Sequence, residues 1–180
     1  MVKKEDRRVL MTKRMLKGAL IEMLKERDIY HISIRELCET ADVNRTTFYK
    51  YYGSQFDLLA DMEEDILDFV SKSVEHNKDD PEKTVLTVCK YLEENIEFAR
   101  LIINNNVDSL FPSKLFSLDN IKAYTVEKFP SIKGEKELEY LYNFLTYGAF
   151  RVVCIWINKE KRESPEVFAK IVVQMLLHMI

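Results

Sequence analysis

Side chains that can contact a nucleic acid lie close together between positions 45 and 51. This stretch reads Arg-Thr-Thr-Phe-Tyr-Lys-Tyr. A guanidinium group can form a paired hydrogen bond with guanine, and a threonine methyl group can pack on the methyl group of thymine. Hydroxyl and ammonium groups bind phosphate oxygens. These residue types in one short stretch therefore predict contact with a DNA duplex.

The flanking residues predict two short helices joined by a tight turn. Ser33 followed by Glu36 has the capping-box spacing, which opens a helix. Residues 42–44 read as a turn, in which Asn44 caps a second helix that begins at Arg45. In a helix-turn-helix, the first helix braces across the DNA backbone and the second places its first residues in the major groove.

The composition indicates an all-α chain. Of its 180 residues, 47% are hydrophobic, and it contains only four Gly and four Pro. This excludes a disordered chain and argues against sandwiches, barrels and glycine-loop nucleotide folds. Apolar residues recur with helical spacing, and no convincing strand appears. The sequence predicts helices near 7–27, 33–41, 45–52, 54–76, 81–94, 95–105, 109–129, 135–159 and 165–180.

Charge is unevenly distributed along the chain. Residues 1–53 hold 12 Lys and Arg against 8 Asp and Glu, a net charge of +4, whereas the remaining residues hold 15 against 22. A basic end on an acidic body favours a polyanionic partner for the first third, although a solvated helix surface is the alternative. Residues 3–8 are either an arm near the DNA backbone or a solvated tail.

The residues above resemble the Tet repressor (TetR) family of transcriptional regulators. The resemblance is carried by residues 34–38, 41–52 and 54–59. It implies an all-α homodimer of about nine helices. Residues 1–53 would form a three-helix DNA-binding domain, and residues 54–180 would form a regulatory and dimerisation bundle of about six helices.

The resemblance also implies roles for individual residues. Base edges would be read by Arg45, Thr46 and Tyr49. Phosphates would be held by Thr47, Lys50, Tyr51 and Gln55. Arg35 would reach the duplex from the second helix. Two positions depart from the family pattern: Asp42 replaces a frequent glycine, and Gln55 replaces a frequent lysine. Asp tolerates left-handed backbone better than most residues, so we expect the turn to survive.

The last two predicted helices have broad apolar faces, which we expect to pair across a two-fold axis. The predicted dimer interface consists of Val152, Trp156, Phe168, Val172, Met175 and Met179. Between the two ends lies an aromatic-rich middle that forms either bundle core or a pocket for an apolar small-molecule effector. Its aromatic residues include Tyr91, Phe98, Phe116, Tyr124 and Phe129.

We therefore expect an effector-responsive repressor that binds double-stranded DNA at a palindromic operator. The alternative is a helical adaptor with no specific operator. Cys38, Cys89 and Cys154 are far apart and odd in number, which excludes a disulfide framework or a zinc pattern. No cofactor, metal or catalytic residue is expected, and an enzyme has no supporting motif. The lack of a signal peptide or long apolar run predicts a cytoplasmic protein without a membrane span.

Overall fold

The computed structural model describes residues 7–104, 111–117 and 134–178, together with positions 123 and 127. Within these residues all regular structure is helical, which confirms the all-α prediction. A single 3₁₀ turn spans Ile29–His31. The nine α-helices of this part of the chain are α1 Arg7–Leu24, α2 Ile34–Thr40, α3 Arg45–Tyr51, α4 Gln55–His76, α5 Pro81–Glu94, α6 Ile96–Asn104, α7 Phe111–Phe116, α8 Glu135–Asn158 and α9 Pro165–His178.

Capping residues determine where several of these helices begin. The side chains of Ser33, Asn44 and Asp80 each accept a hydrogen bond from a backbone N–H in the first turn of α2, α3 and α5. Pro81 then occupies the first turn of α5, where a missing N–H costs nothing. The structure thus confirms the helix starts predicted at Ser33, Asn44 and Pro81.

The chain divides into two compact units, and the division falls between Asp65 and Ile66, within α4. The sequence predicted a boundary after residue 53. The difference arises because the first turns of α4 are part of the N-terminal unit. Lys17 of α1 holds both Asp61 and Asp65 of α4 through ion pairs of 2.6 Å.

The core of the N-terminal unit draws on all four of its helices. Five apolar side chains are completely buried: Leu16, Leu20, Leu37, Phe48 and Leu58. They come from α1, α2, α3 and α4. Because α2 and α3 have only seven residues each, their stability depends on this shared core more than on helix propensity.

The C-terminal unit packs α5, α6, α8 and α9 around a second core. Its buried members are Cys89, Leu92, Ala99, Trp156, Ile157, Phe168 and Val172. The rings of Trp156 and Phe168 stack with centroids 4.6 Å apart. The indole N–H donates to the backbone oxygen of Glu163 at 2.8 Å, so the polar end of this buried side chain is satisfied.

This core corrects part of the predicted dimer interface. Trp156, Phe168 and Val172 retain at most 5% of their surface, because they fill the core of their own chain. They therefore have almost no area left to bury against a partner. Met175 is 48% exposed and Val152 is half-buried, so both have surface left for a contact. Met179 lies outside the described residues.

Candidate nucleic-acid interface

Helix α3 has one buried side and one exposed polar side. Phe48 is completely buried, whereas Arg45, Thr46, Tyr49 and Lys50 are exposed. Tyr49 has 51% of its surface exposed although it is aromatic. The residue pattern explains this arrangement, since Phe48 is the apolar member of a seven-residue helix whose other side chains are polar or amphipathic. The buried Phe48 therefore fixes the helix, and its exposed side presents hydrogen-bonding groups to solvent.

Asn44 organises the beginning of α3. Its side-chain oxygen accepts from the Thr46 N–H at 2.9 Å and from the Thr46 hydroxyl at 2.7 Å. The hydroxyl hydrogen of Thr46 is thus directed to the cap. Its methyl group and the lone pairs of its oxygen remain for an external partner.

The turn between α2 and α3 requires a left-handed residue, and Asp42 supplies it. Asp42 has a φ of 51°, and no other non-glycine residue in the described part of the chain has a positive φ. The N–H of Asp42 donates to the oxygen of Glu39, and the N–H of Val43 donates to the oxygen of Cys38. These two bonds form a Schellman motif, which ends α2. The turn predicted at this departure from the family pattern is confirmed.

A hydrogen-bond network fixes the end of α3 to the neighbouring helices. The Tyr52 hydroxyl donates to Asp61 of α4 at 2.9 Å, and Lys17 of α1 contacts the same carboxylate at 2.6 Å. Burial by itself would raise the pKa of Asp61, but hydrogen bonds from Lys17 and Tyr52 outweigh it and bring the pKa below its usual value. The charged network therefore holds α1 and α4 to Tyr52, the residue that caps the C-terminal end of α3.

The remaining predicted DNA-contact residues differ in solvent exposure and in the partners that their side chains already have. Thr47 and Tyr51 are half-buried, and the Lys50 ammonium lies 5.6 Å from the centre of the Tyr51 ring. Gln55 is half-buried, and its Nε2 donates to the backbone oxygen of Ile29 at a long 3.5 Å. Arg35 is exposed, but its Nε donates to Glu39 at 2.8 Å.

Sequence reasoning missed two features of this unit. The first is the ion pair between Arg35 and Glu39, although the spacing of four on a helix is a visible signal for it. The second is the hydrogen bond from Tyr52 to Asp61, which joins residues nine positions apart on different elements. No local sequence pattern predicts a side-chain hydrogen bond between two different elements.

The capping box of α2 carries an unusual carboxylate. Glu36 accepts hydrogen bonds from the Ser33 hydroxyl at 2.6 Å, from Arg27 at 3.0 Å and from the Ser33 N–H at 3.2 Å. The Ser33 hydroxyl makes the largest contribution, and together these partners lower the pKa of Glu36 to about 2. These hydrogen bonds favour the ionised form of Glu36 at the start of α2.

The C-terminal unit presents a different surface, which is apolar. Val167, Ile171 and Met175 follow one another at intervals of four along α9, and each is at least 40% exposed. Ile155 of α8 is 50% exposed. Among the aromatic residues of the middle segment, Phe98 is buried and Tyr91 stacks on Phe69 at 3.9 Å. The side chain of Phe116, and the residues Tyr124 and Phe129, lie outside the described part.

The three cysteines are buried, and burial raises the pKa of each thiol, that of Cys89 to about 12. A protonated buried thiol is a poor nucleophile and a poor metal ligand. Among the described residues, no group of three His, Cys, Asp or Glu side chains could hold a metal ion. None of the helices described is both long and apolar enough to cross a membrane.

The fold and the exposed side of α3 define the chain as a helix-turn-helix protein of the transcriptional regulator class. A family model described as the C-terminal region of a transcriptional regulator, TetR_C_8, matches residues 79–178. This match covers more than half of the chain and lies outside the helix-turn-helix. The chain belongs to the TetR family of transcriptional regulators.

A curated relative supports the same class. The chain is 27% identical over 164 residues to the uncharacterized HTH-type transcriptional regulator YxbF of Bacillus subtilis strain 168. This similarity covers 86% of the chain and 42% of the relative. The chain thus spans less than half of the length of the curated relative that it matches.

Solved structures share the fold over nearly the whole chain. A TetR transcriptional regulator from Streptococcus agalactiae 2603V superimposes with a TM-score of 0.69 at 21% identity, covering 95% of this chain and 96% of that one. The dihydroxyacetone kinase operon activator DhaS gives 0.62 at 19% identity, covering 95% and 97%. The repressor AlkX from Dietzia sp. strain DQ12-45-1b gives 0.51 at 12% identity, covering 92% and 96%.

The capping box predicts a pH dependence of stability. The pKa of Glu36 is about 2 in the folded chain, below its ordinary 4.5. Because the pKa of Glu36 is lower in the folded chain than in the unfolded chain, ionised Glu36 stabilises the fold at pH values above about 4.5. This contribution is lost as the pH falls from about 4.5 to about 2. Glu36→Gln removes the titrating group, so the stability advantage of the parent chain over this variant should shrink across that interval.

Urea unfolding at a series of pH values measures this difference. Ser33→Ala provides a second check, because loss of the hydroxyl should narrow the pH interval by moving the pKa of Glu36 upward. A Glu36→Gln effect that is the same at neutral pH and at pH 2.5 would contradict the assigned role.

Proposed function

We propose that this chain binds a palindromic DNA operator as a homodimer and represses transcription until an effector releases it. The observation that carries the proposal is the outer side of α3. Arg45, Thr46, Tyr49 and Lys50 are exposed there, while Phe48 anchors the helix in the core. An exposed helix of this size fits the major groove, which is about 12 Å wide.

The position of each side chain on α3 supports a division of roles. Arg45 and Thr46 lie at the N-terminal end, the part of a recognition helix that contacts base edges. Tyr49 is one turn further along, on the exposed side. Lys50 supplies a positive charge for a phosphate. Within the described residues, Arg45 and Lys50 have no carboxylate partner that would compete with DNA.

Dimerisation through α8 and α9 is part of the proposal. Helix α9 exposes an apolar row, and Ile155 of α8 is a further exposed apolar residue. The row consists of Val167, Ile171 and Met175, and packing within its own chain does not require this apolar surface to be exposed. Burial of such side chains between two copies supplies the free energy of association. A two-fold dimer would place two α3 helices in successive major grooves, about 34–36 Å apart.

Repression and release follow the simplest physical route. A dimer that covers a promoter blocks transcription by occupancy alone. Among the structural neighbours, AlkX is named a repressor and DhaS an operon activator, so the fold serves both modes. We propose an apolar small molecule as effector. It would act through a difference in affinity between two states, typically 1–3 kcal/mol of coupling.

DNA binding is tested with a duplex selected from a random pool and measured by fluorescence anisotropy at several salt concentrations. Tyr49→Ala should weaken the selected duplex by roughly 5- to 150-fold, because about 1–3 kcal/mol of base contact is lost. Lys50→Ala should weaken selected and unrelated duplexes alike and reduce the salt slope by about one.

The matched control is Tyr140→Ala, which removes a tyrosine that is 74% exposed on α8. It should leave the affinity for the duplex unchanged. Binding that does not respond to salt, or a Tyr49→Ala variant with the parent's affinity, would refute the docking of α3. The first result would favour the helical adaptor.

Dimerisation is tested by Met175→Glu, which places a charge in the exposed row of α9. Because burial of an unpaired charge is costly, the dimer dissociation constant should rise at least tenfold in sedimentation experiments. Lys83→Glu, an exposed change of charge on α5, serves as the control and should leave the dimer intact. A Met175→Glu chain that remains as dimeric as the parent would exclude this residue from the interface.

A further inference from the structure

Helix α2 carries an ion pair that no role described above requires. The Nε of Arg35 donates to Oε1 of Glu39 at 2.8 Å, and the two side chains are 74% and 62% exposed. Both residues line a surface cleft between α2 and α3, which Asp42, Asn44 and Arg45 also line. The pair thus lies beside the first residue of the recognition helix.

The hydrogen bond determines which donors of Arg35 remain. A guanidinium has five N–H donors, and the single one on Nε is directed to Glu39. The four donors on the two terminal nitrogens stay available as a fork. This fork can bind two neighbouring acceptors, which both a phosphate and the O6 and N7 atoms of guanine offer.

The charge of Glu39 decides between these two acceptors. A phosphate brought to the fork of Arg35 would also approach the carboxylate of Glu39, and the two negative charges repel. The edge of a base pair carries no net charge, so it incurs no such repulsion. In the major groove a G·C pair presents the N7 and O6 acceptors of guanine and then the N4 amino donor of cytosine. The donors of Arg35 match the two guanine acceptors, and the carboxylate of Glu39 beside them matches the cytosine donor.

We propose that Glu39 is a specificity-determining residue that makes Arg35 a reader of a G·C base pair. The terminal nitrogens of Arg35 donate to guanine O6 and N7, and the carboxylate of Glu39 accepts from the cytosine amino group of the same pair. The inference rests on the proposed DNA binding, and it assigns to α2 one base pair in each half-site.

Selection from a random duplex pool tests the assignment, with the parent chain, Arg35→Ala, Arg35→Lys and Glu39→Gln each selecting its own motif. The parent motif should contain a symmetric G·C pair. Arg35→Ala should lose the preference at that pair alone and keep the rest of the motif. Arg35→Lys should also lose it, because an ammonium group lacks the planar fork.

Glu39→Gln removes one negative charge and leaves an acceptor oxygen. Its affinity for unrelated duplexes should rise about 3- to 10-fold at low salt, with a salt slope steeper by up to about one, because no carboxylate charge then repels a phosphate from the fork of Arg35. Its preference for the G·C pair should fall. The matched control is Asp68→Asn on α4, which breaks an ion pair with Lys72 at the same spacing of four. Asp68→Asn should change neither the affinity for unrelated duplexes nor the preference for the G·C pair.

The outcomes separate this inference from the proposed function. If Arg35→Ala selects the parent motif while Tyr49→Ala changes it, the chain reads DNA through α3 and the assignment to Arg35 and Glu39 is wrong. If Glu39→Gln matches the parent in salt slope and motif, Glu39 has no part in recognition. A parent chain that selects no motif overturns the proposed function and this inference together.

Discussion

The burial of Phe48 is the constraint on which the exposed polar side of α3 depends. Helix α3 has seven residues, fewer than the roughly 12–15 that an isolated helix needs to be even marginally stable in water. It persists because Phe48 is fully enclosed, because Asn44 caps its first turn, and because Tyr52 is bonded to Asp61 just beyond its end. The polar side chains on its outer face owe their fixed positions to these contacts.

Much of the positive charge of the N-terminal unit is paired with carboxylates of the same unit. Several of its cations are already engaged by carboxylates, as Arg27 is by Glu36, Arg35 by Glu39 and Lys17 by Asp61. The cations that remain unpaired on α3 are therefore few and well placed. For the DNA binding proposed above, this pairing would favour particular contacts over the non-specific phosphate binding of a uniformly basic surface.

The sequence predicted the helix-turn-helix in detail because its signals are local. Ser33 and Asn44 fix helix starts through hydrogen bonds within one turn, and Asp42 fixes the turn through its own backbone conformation. Local chemistry of this kind can be read without knowing the fold. The contact residues assigned to α3 by resemblance lie where the structure exposes or half-exposes them, and their roles remain predictions.

The parts that the sequence did not predict depend on non-local packing. Helical spacing identifies apolar stripes on α8 and α9, but it does not say which stripe faces the chain's own core. Helical spacing alone therefore predicts a partner contact for Trp156 and Phe168, which stack on each other inside one unit. The unit boundary within α4 has the same origin, since Leu58 is buried in the N-terminal core and Asp61 and Asp65 pair with Lys17 of α1.

Site-specific photo-crosslinking tests the central claim, that the exposed side of α3 enters a DNA groove, most directly. A benzophenone amino acid in place of Tyr49 would lie on that side, and one in place of Tyr140 would lie at a more exposed position on α8. The account predicts that irradiation with a bound duplex captures DNA from position 49 and not from position 140. Capture from position 140 alone, with none from position 49, would contradict it.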